Sequence, residues 1–370
     1  MSSLDFRPFF VRIDLVTSLR GFGGPIHGRG AGDNPPNRFE KLTYVPDPEA
    51  TDPDAPHPTT EFLRDASRSI LARNESPDVG FDVSINPYRG CEHGCVYCFA
   101  RPTHEMLGFS SGLDFETKIL VKEDAPELLR AELARPKWTP QVIAISGVTD
   151  AYQPIERGLR LTRRCIEVLA EFRNPVLVIT KNHLVARDRD LLGDLARDRA
   201  AGVFLSVTTL DGDLQRKMEP RASAPERRLE AIGALAEARV PVGVLVAPVI
   251  PGLTDHEMPA ILRAAAEAGA RFAGYVPLRL PYAVKDLFDR WLTDHFPDRK
   301  EKILRRIRDL RGGKLNDPNF GSQLRGEGIF AEEMAALFAI ACRRAGIVDG
   351  RAELSTAAFR RPEECQLALL

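Results

Sequence analysis

Three cysteines, Cys91, Cys95 and Cys98, fall within eight consecutive positions of the stretch Asn86-Pro87-Tyr88-Arg89-Gly90-Cys91-Glu92-His93-Gly94-Cys95-Val96-Tyr97-Cys98-Phe99. Three thiolates on one short loop can each hold a corner of a cubane 4Fe-4S cluster, whereas ordinary electron-transfer clusters use four cysteines. One iron is then left without a protein ligand, and an open position is what a catalytic metal needs to receive a chelating amine and carboxylate. The alternative is zinc. With His93 or His104 the same thiolates make a closed tetrahedral site, and the chain is then a zinc-stapled α/β binding module. Otherwise both histidines read as exposed groups or as neighbours behind the ligands. The remaining cysteines are scattered, Cys165 and Cys342 inside amphipathic segments as core packing and Cys365 in a tail, which is not how a disulfide framework is distributed.

The elements that must position this loop follow from hydrophobic periodicity. Short apolar, β-branched runs occur at 81–85 (FDVSI), 141–146 (QVIAIS), 175–180 (PVLVIT), 203–209 (VFLSVTT), 242–250 (VGVLVAPVI) and 272–278 (FAGYVPL). Continuous rather than alternating hydrophobicity fits strands of a parallel sheet covered on both faces. Between them lie amphipathic segments at 124–135, 156–172, 188–200 and 223–238, and another after Thr254. Ser223 and Glu226 have capping-box spacing. After Thr254, Glu257 has it too, but Pro259 removes an early helical donor, so that helix start is open. Strand and helix alternating six times give an open doubly wound sheet or a partial barrel, which periodicity does not separate. In either fold ligands bind where the C-terminal strand ends converge.

The boundaries expected are an N-terminal extension over 1–80, partly loop-rich with breaker-rich stretches at 21–37 and 46–58, an α/β unit over 81–284, and a helical, Gly-rich extension over 285–370. A formal charge of −1 gives no global field to concentrate nucleic acid or anionic membrane. The N-terminal stretch is interrupted by Asp5, Arg7, Arg12 and Asp14, and the longest apolar run, 242–251, is too short to span a bilayer. A cytoplasmic protein with no membrane partner is expected. Residues 299–314 hold eight basic and two acidic residues, a local charge of +6, which reads either as a phosphate-binding patch or as a solvated helix face.

The segment CEHGCVYC resembles the cluster motif of the radical S-adenosylmethionine (SAM) superfamily, including the aromatic Tyr97 before the third cysteine. More closely, SINPYRGCEHGCVYCFARPTHE, SGVTDAYQPIE (146–156), ITKNHLVARD (179–188) and EPRASAPERRLEAI (219–232) resemble its spore photoproduct lyase-like branch. The resemblance implies a partial (β/α)6 TIM-type barrel with N- and C-terminal extensions and an enzyme of lyase-like or transferase type. It also implies an external electron donor such as flavodoxin or ferredoxin. In such enzymes a 4Fe-4S cluster held by Cys91, Cys95 and Cys98 cleaves SAM reductively to a 5′-deoxyadenosyl radical, which abstracts hydrogen from substrate. The substrate it suggests is a nucleic-acid lesion, with RNA, a peptide or a small metabolite as alternatives.

The same resemblance suggests SAM contacts. The Tyr97 backbone is expected beside the adenine. Ser146, Gly147 and Asp150 occupy the place of the superfamily's glycine-rich element near the SAM amino group, although the segment departs from the common Gly-Gly-Glu form and Gly147 alternatively serves a tight turn. Lys181 and Ser206 are expected near the SAM carboxylate, the alternatives being a solvated lysine and a hydroxyl bonded to backbone. Arg221 either pairs with that carboxylate or forms a loop salt bridge.

Overall fold

The computed structural model describes residues 26–40 and 58–362, so the stretch at 46–58 is outside it except for Pro58, as is Cys365. Its strands are β1 (Glu61–Arg64), β2 (Leu71–Arg73), β3 (Val83–Ile85), β4 (Tyr88–Arg89), β5 (Lys118–Val121), β6 (Ile143–Ile145), β7 (Val176–Thr180), β8 (Ala201–Ser206), β9 (Val242–Val249), β10 (Phe272–Pro277) and β11 (Val348–Asp349). Its α-helices are α1 (Leu113–Thr117), α2 (Ala125–Ala134), α3 (Glu156–Leu159), α4 (Leu161–Phe172), α5 (Arg189–Arg197), α6 (Gly212–Met218), α7 (Pro225–Glu237), α8 (Met258–Ala268), α9 (Val284–His295), α10 (Lys300–Asp309) and α11 (Ile329–Ala345).

Each of the six apolar runs contains a strand, and these are β3, β6, β7, β8, β9 and β10. They lie in one sheet in sequence order, flanked by β2 and β11. Every neighbouring pair from β3 to β11 is parallel, and β2 is antiparallel to β3. A doubly wound sheet reverses its strand order at a switch point. This one never reverses, so its crossovers wind in one sense, as in a partial barrel. β3, β6 and β8 are buried along their whole length, which is why their sequences carry no polar alternation. Helices α2, α4, α5, α7, α8 and α11 supply Leu129, Ile166, Leu192, Ile232, Ile261 and Phe338 to one core with these strands. Each such aliphatic side chain contributes about 1.5–3 kcal/mol by leaving water.

The flanking segments do more than pack on the outside. β1 pairs in parallel with β5 and β4 antiparallel with it, forming a small sheet around the cysteine loop. α11 packs on α8 and leads into β11, which extends the main sheet beyond β10. No helix among the described residues is long and apolar enough to cross a membrane.

Three helix starts differ from the sequence pattern. The segment 156–172 is two helices, broken at Arg160 in left-handed backbone (φ 55°). Glu156 causes the break, because its carboxylate accepts from the N–H groups of Thr162 and Arg163 and so starts α4 anew. The Ser223–Glu226 box does not form. Pro225 opens α7, and Ser223 Oγ instead accepts from the His183 N–H and contacts Asn182 Oδ1. Glu257 likewise faces away from its own helix, accepting from Thr209 Oγ1 and the Leu210 N–H, and α8 starts at Met258 with Pro259 in its first turn, where no donor is needed.

Candidate active site

The cysteine loop leaves β3 and β4 and is locked from beneath. Arg101 and Glu116 are completely buried and paired with each other. Arg101 also donates to the carbonyls of Cys95 (2.9 Å), Gly112 (2.9 Å), Ser111 and Gly94. A buried ion pair persists only with its other hydrogen-bonding capacity filled. Glu116 meets that condition by accepting from the Gly30 (3.0 Å) and Ala31 (2.8 Å) N–H groups. Gly30 sits so close to the loop that a Cβ there would lie 1.7 Å from the Gly94 carbonyl oxygen. From above, the Val96 N–H donates to the Met218 carbonyl and the Arg221 N–H to that of His93, which ties the loop to the α6–α7 connection.

All three thiols are free, Cys91 and Cys95 buried and Cys98 partly exposed. Burial pushes the Cys95 thiol well above its ordinary pKa and that of Cys98 up to about 11. Among the described residues no three His, Cys, Asp or Glu side chains converge as ligands of one ion would. The corners of a cubane are separate irons, each taking one thiolate, so the donor set fits a cluster. Neither nearby histidine is exposed. His93 has its Nδ1 3.4 Å from Asp150 Oδ2 and its Nε2 3.1 Å from Asn182 Nδ2. Asn182 Oδ1 already accepts from the Leu184 N–H, which turns its amide nitrogen toward Nε2, and although burial would lower the imidazole's pKa, Asp150 raises it to about 10. His104 lies between Phe109 and Phe115 with neither nitrogen hydrogen-bonded, and burial lowers its pKa to about 4.

The other singled-out residues lie on the loops at the C-terminal ends of β6, β7 and β8 and on the connection to α7. Ser146 has left-handed backbone (φ 75°), and its Oγ accepts from the Ala151 N–H. Gly147 packs closely on β3, because a Cβ there would stand 3.0 Å from the Ser84 side chain and push it aside. Asp150 is fully engaged with Thr180 Oγ1 (2.7 Å) and the N–H groups of Lys181 (2.7 Å) and Tyr152. Burial alone would raise its pKa, but His93 and these donors hold it below the ordinary range. It therefore fastens the loop after β6 to β7 and to the cysteine loop. Arg221 forms a salt bridge with Glu92 (3.0 Å) and donates to Thr60 Oγ1. Ser206 is buried at the end of β8, where its carbonyl accepts from Arg228.

Lys181 and Tyr97 meet at a group the sequence reading passed over. Glu219 is completely buried, accepts from the Tyr97 and Thr208 hydroxyls, and pairs with Arg228 and Lys181 (3.2 Å). Lys181 Nζ also reaches Thr208 Oγ1 (3.2 Å) and the Ala247 carbonyl (2.8 Å). Although burial would raise its pKa, Arg228 and Lys181 keep the Glu219 carboxyl ionised, well below the usual range. Two cations against one carboxylate leave the trio one positive charge in excess. Glu219 and Arg228 both lie in the EPRASAPERRLEAI stretch, where their burial beside an amphipathic helix had no periodic signal.

A sequence model described as the radical SAM superfamily matches residues 85–265. An uncharacterized protein of Mycobacterium tuberculosis is 36% identical over 260 residues, covering 69% of this chain and 75% of that relative. A protein of Pseudomonas phage M6 named radical SAM Nalpha-GlyT isomerase is 24% identical over 220 residues, 59% of this chain and 43% of the phage protein. Among solved structures, spore photoproduct lyase complexed with dinucleoside spore photoproduct superposes with a TM-score of 0.58 at 16% identity, covering 78% of this chain and 81% of the lyase, so the two share a fold. The sequential parallel sheet, the loop of three free thiols at its mouth and these matches agree, and the chain belongs to the radical SAM superfamily, an enzyme class that uses a 4Fe-4S cluster and SAM.

Proposed function

We propose that Cys91, Cys95 and Cys98 hold the 4Fe-4S cluster of a radical SAM enzyme acting on a nucleic-acid lesion or modified base. The observation that carries this is one of placement. The three thiols share a loop at the C-terminal end of β3, the end of the sheet where Ser146, Lys181 and Ser206 also lie. When bound, the cluster and SAM supply a 5′-deoxyadenosyl radical by one-electron reductive cleavage, with the electron from a donor such as flavodoxin or ferredoxin, and that radical abstracts a substrate hydrogen.

The chain's own residues prepare the site. Lys181 gives its N–H groups to Thr208, Ala247 and Glu219, and by releasing one of them it would pair with the SAM carboxylate, for which the trio's excess positive charge would be the counterion. Glu219 fixes the Tyr97 hydroxyl and so the backbone before Cys98, which would contact the adenine when SAM is bound. Gly147 and Ser146 would offer backbone groups at the end of β6 to the SAM amino end. The nucleic-acid substrate is supported by the shared fold with spore photoproduct lyase, whose solved complex contains a dinucleoside. The +6 segment supports it less. Arg299, Lys300, Arg306 and Arg311 are occupied by the Gly252 carbonyl, Asp289, Asp255 and buried backbone carbonyls.

The test incubates reduced, reconstituted enzyme and SAM with deuterated oligonucleotides carrying damaged or modified bases, and follows label into 5′-deoxyadenosine by mass spectrometry. Deuterium transfer supports the proposal. Transfer only from a deuterated peptide or small metabolite moves the substrate to that class.

A further inference from the structure

We propose that two arginine–aromatic stacks on the rim beside the cysteine loop form a platform for single-stranded nucleic acid, each stack receiving one unpaired base. In the first, the Arg279 guanidinium lies 5.4 Å from the centroid of Phe99, the residue after Cys98. In the second, the Arg38 guanidinium lies 3.5 Å from the Tyr282 centroid and 5.1 Å from that of Phe39. The rings face solvent, with Phe99 48%, Tyr282 58% and Phe39 61% exposed. Chain connections place the stacks on one rim. Arg279 and Tyr282 are three residues apart on the loop leaving β10, and Arg38 pairs with buried Glu105 on the segment that continues from Phe99.

Three features point to a nucleic acid. Bases stack on aromatic rings and on guanidinium planes, and only an unpaired base offers its face to them. Arg279 makes no hydrogen bond or ion pair among the described residues, and its Nε is buried without a partner. A half-buried guanidinium lacking an acceptor is costly, and its fork of donors matches a phosphate oxygen pair. Burial lowers its pKa, and Asp78 and Asp317 offset that only in part. Finally, Tyr282 is held in left-handed backbone (φ 52°), a conformation unfavourable for a bulky residue, and strain of this kind collects at ligand sites. This platform rests on the proposed function for its substrate class and adds the residues that select an unpaired strand.

Fluorescence anisotropy of the reconstituted holoenzyme with end-labelled single-stranded DNA, single-stranded RNA and duplex DNA tests it. Both single strands are expected to bind more tightly than the duplex, and the stronger of the two names the natural strand. Tyr282→Gly removes a ring where glycine adopts the backbone freely, so weakening of roughly 5- to 150-fold at an unchanged or raised melting temperature reports lost stacking rather than misfolding. Arg279→Lys keeps the charge but not the planar stack and weakens binding likewise. Duplex binding as tight as single-strand binding, or unchanged affinity in both variants, overturns the platform. The two proposals fail separately. A chain that binds single strands through these residues yet takes up no iron overturns the radical chemistry alone, and one that cleaves SAM but binds no single strand overturns the platform alone.

Discussion

Replacing Glu219 with Gln removes the one anion shared by two cations in the buried heart of the site. Glu219 is 0% and Arg228 1% exposed, and Lys181 completes the trio. Because neither oxygen reaches water, the amide leaves Arg228 without a counterion and turns N–H donors toward one of the two cations, Lys181 on the Oε1 side or Arg228 on the Oε2 side. Breaking a buried pair by removing one partner costs about 3–5 kcal/mol. Urea denaturation of the cluster-free protein at neutral pH should therefore show a loss in that range. The acid profile provides a second reading. The folded carboxyl sits below its unfolded value of about 4.3, so its contribution is complete above that pH and is lost progressively as the pH falls through and below it. The stability difference between wild type and Glu219→Gln should then shrink on acidification. A loss under about 1 kcal/mol, or a difference that does not change with pH, would refute the argument that this trio is an ionised, desolvated unit.

The other predictions concern the loop and its ligands. Gly30→Ala forces a Cβ into the Gly94 carbonyl and should lower stability by about 1–3 kcal/mol while speeding loss of iron from the reconstituted protein, measured by chelator challenge. Cys95→Ala is expected to abolish iron and sulfide uptake, whereas Cys165→Ala, a buried packing change in α4, should keep full iron content in the same assay. Lys181→Ala should weaken equilibrium SAM binding by roughly 10- to 150-fold, the worth of a hydrogen bond to a charged group. Arg221→Ala, whose partner is Glu92, should weaken it by less than about fivefold.

Much of this architecture is written in local sequence because the six parallel strands lie between covered faces, β3, β6 and β8 buried along their whole length, and are therefore apolar in runs. The cysteine spacing is equally local. What escaped notice was set by particular side-chain contacts rather than by periodicity. The break at Arg160 comes from Glu156 capping the next helix, and Ser223 gives up its expected capping role because His183 and Asn182 lie beside it in the fold. β1 is mostly exposed and β5 offers only the three-residue apolar run Ile119–Val121, so their strand character rests on pairing with each other and with β4. Strand order, which separates a partial barrel from a doubly wound sheet, is a property of pairing that periodicity does not carry. Asp150 and Arg221 look in sequence like polar groups free for a ligand, yet each is engaged with the protein, Asp150 with β7 and His93 and Arg221 with Glu92. Glu219 lacks a pattern for the opposite reason, since its meaning depends on Tyr97 and Lys181 arriving from two other segments and on Arg228 turning inward from α7.

The central claim is that three thiols on one loop hold a cluster with an iron open to SAM. The most direct measurement reconstitutes the protein with iron and sulfide under anaerobic conditions, adds SAM and a strong reductant, and quantifies 5′-deoxyadenosine and methionine. The account predicts both products from the wild type and neither from Cys91→Ala. A wild-type sample that takes up no iron and sulfide, or a loaded one that leaves SAM intact on reduction, would contradict it.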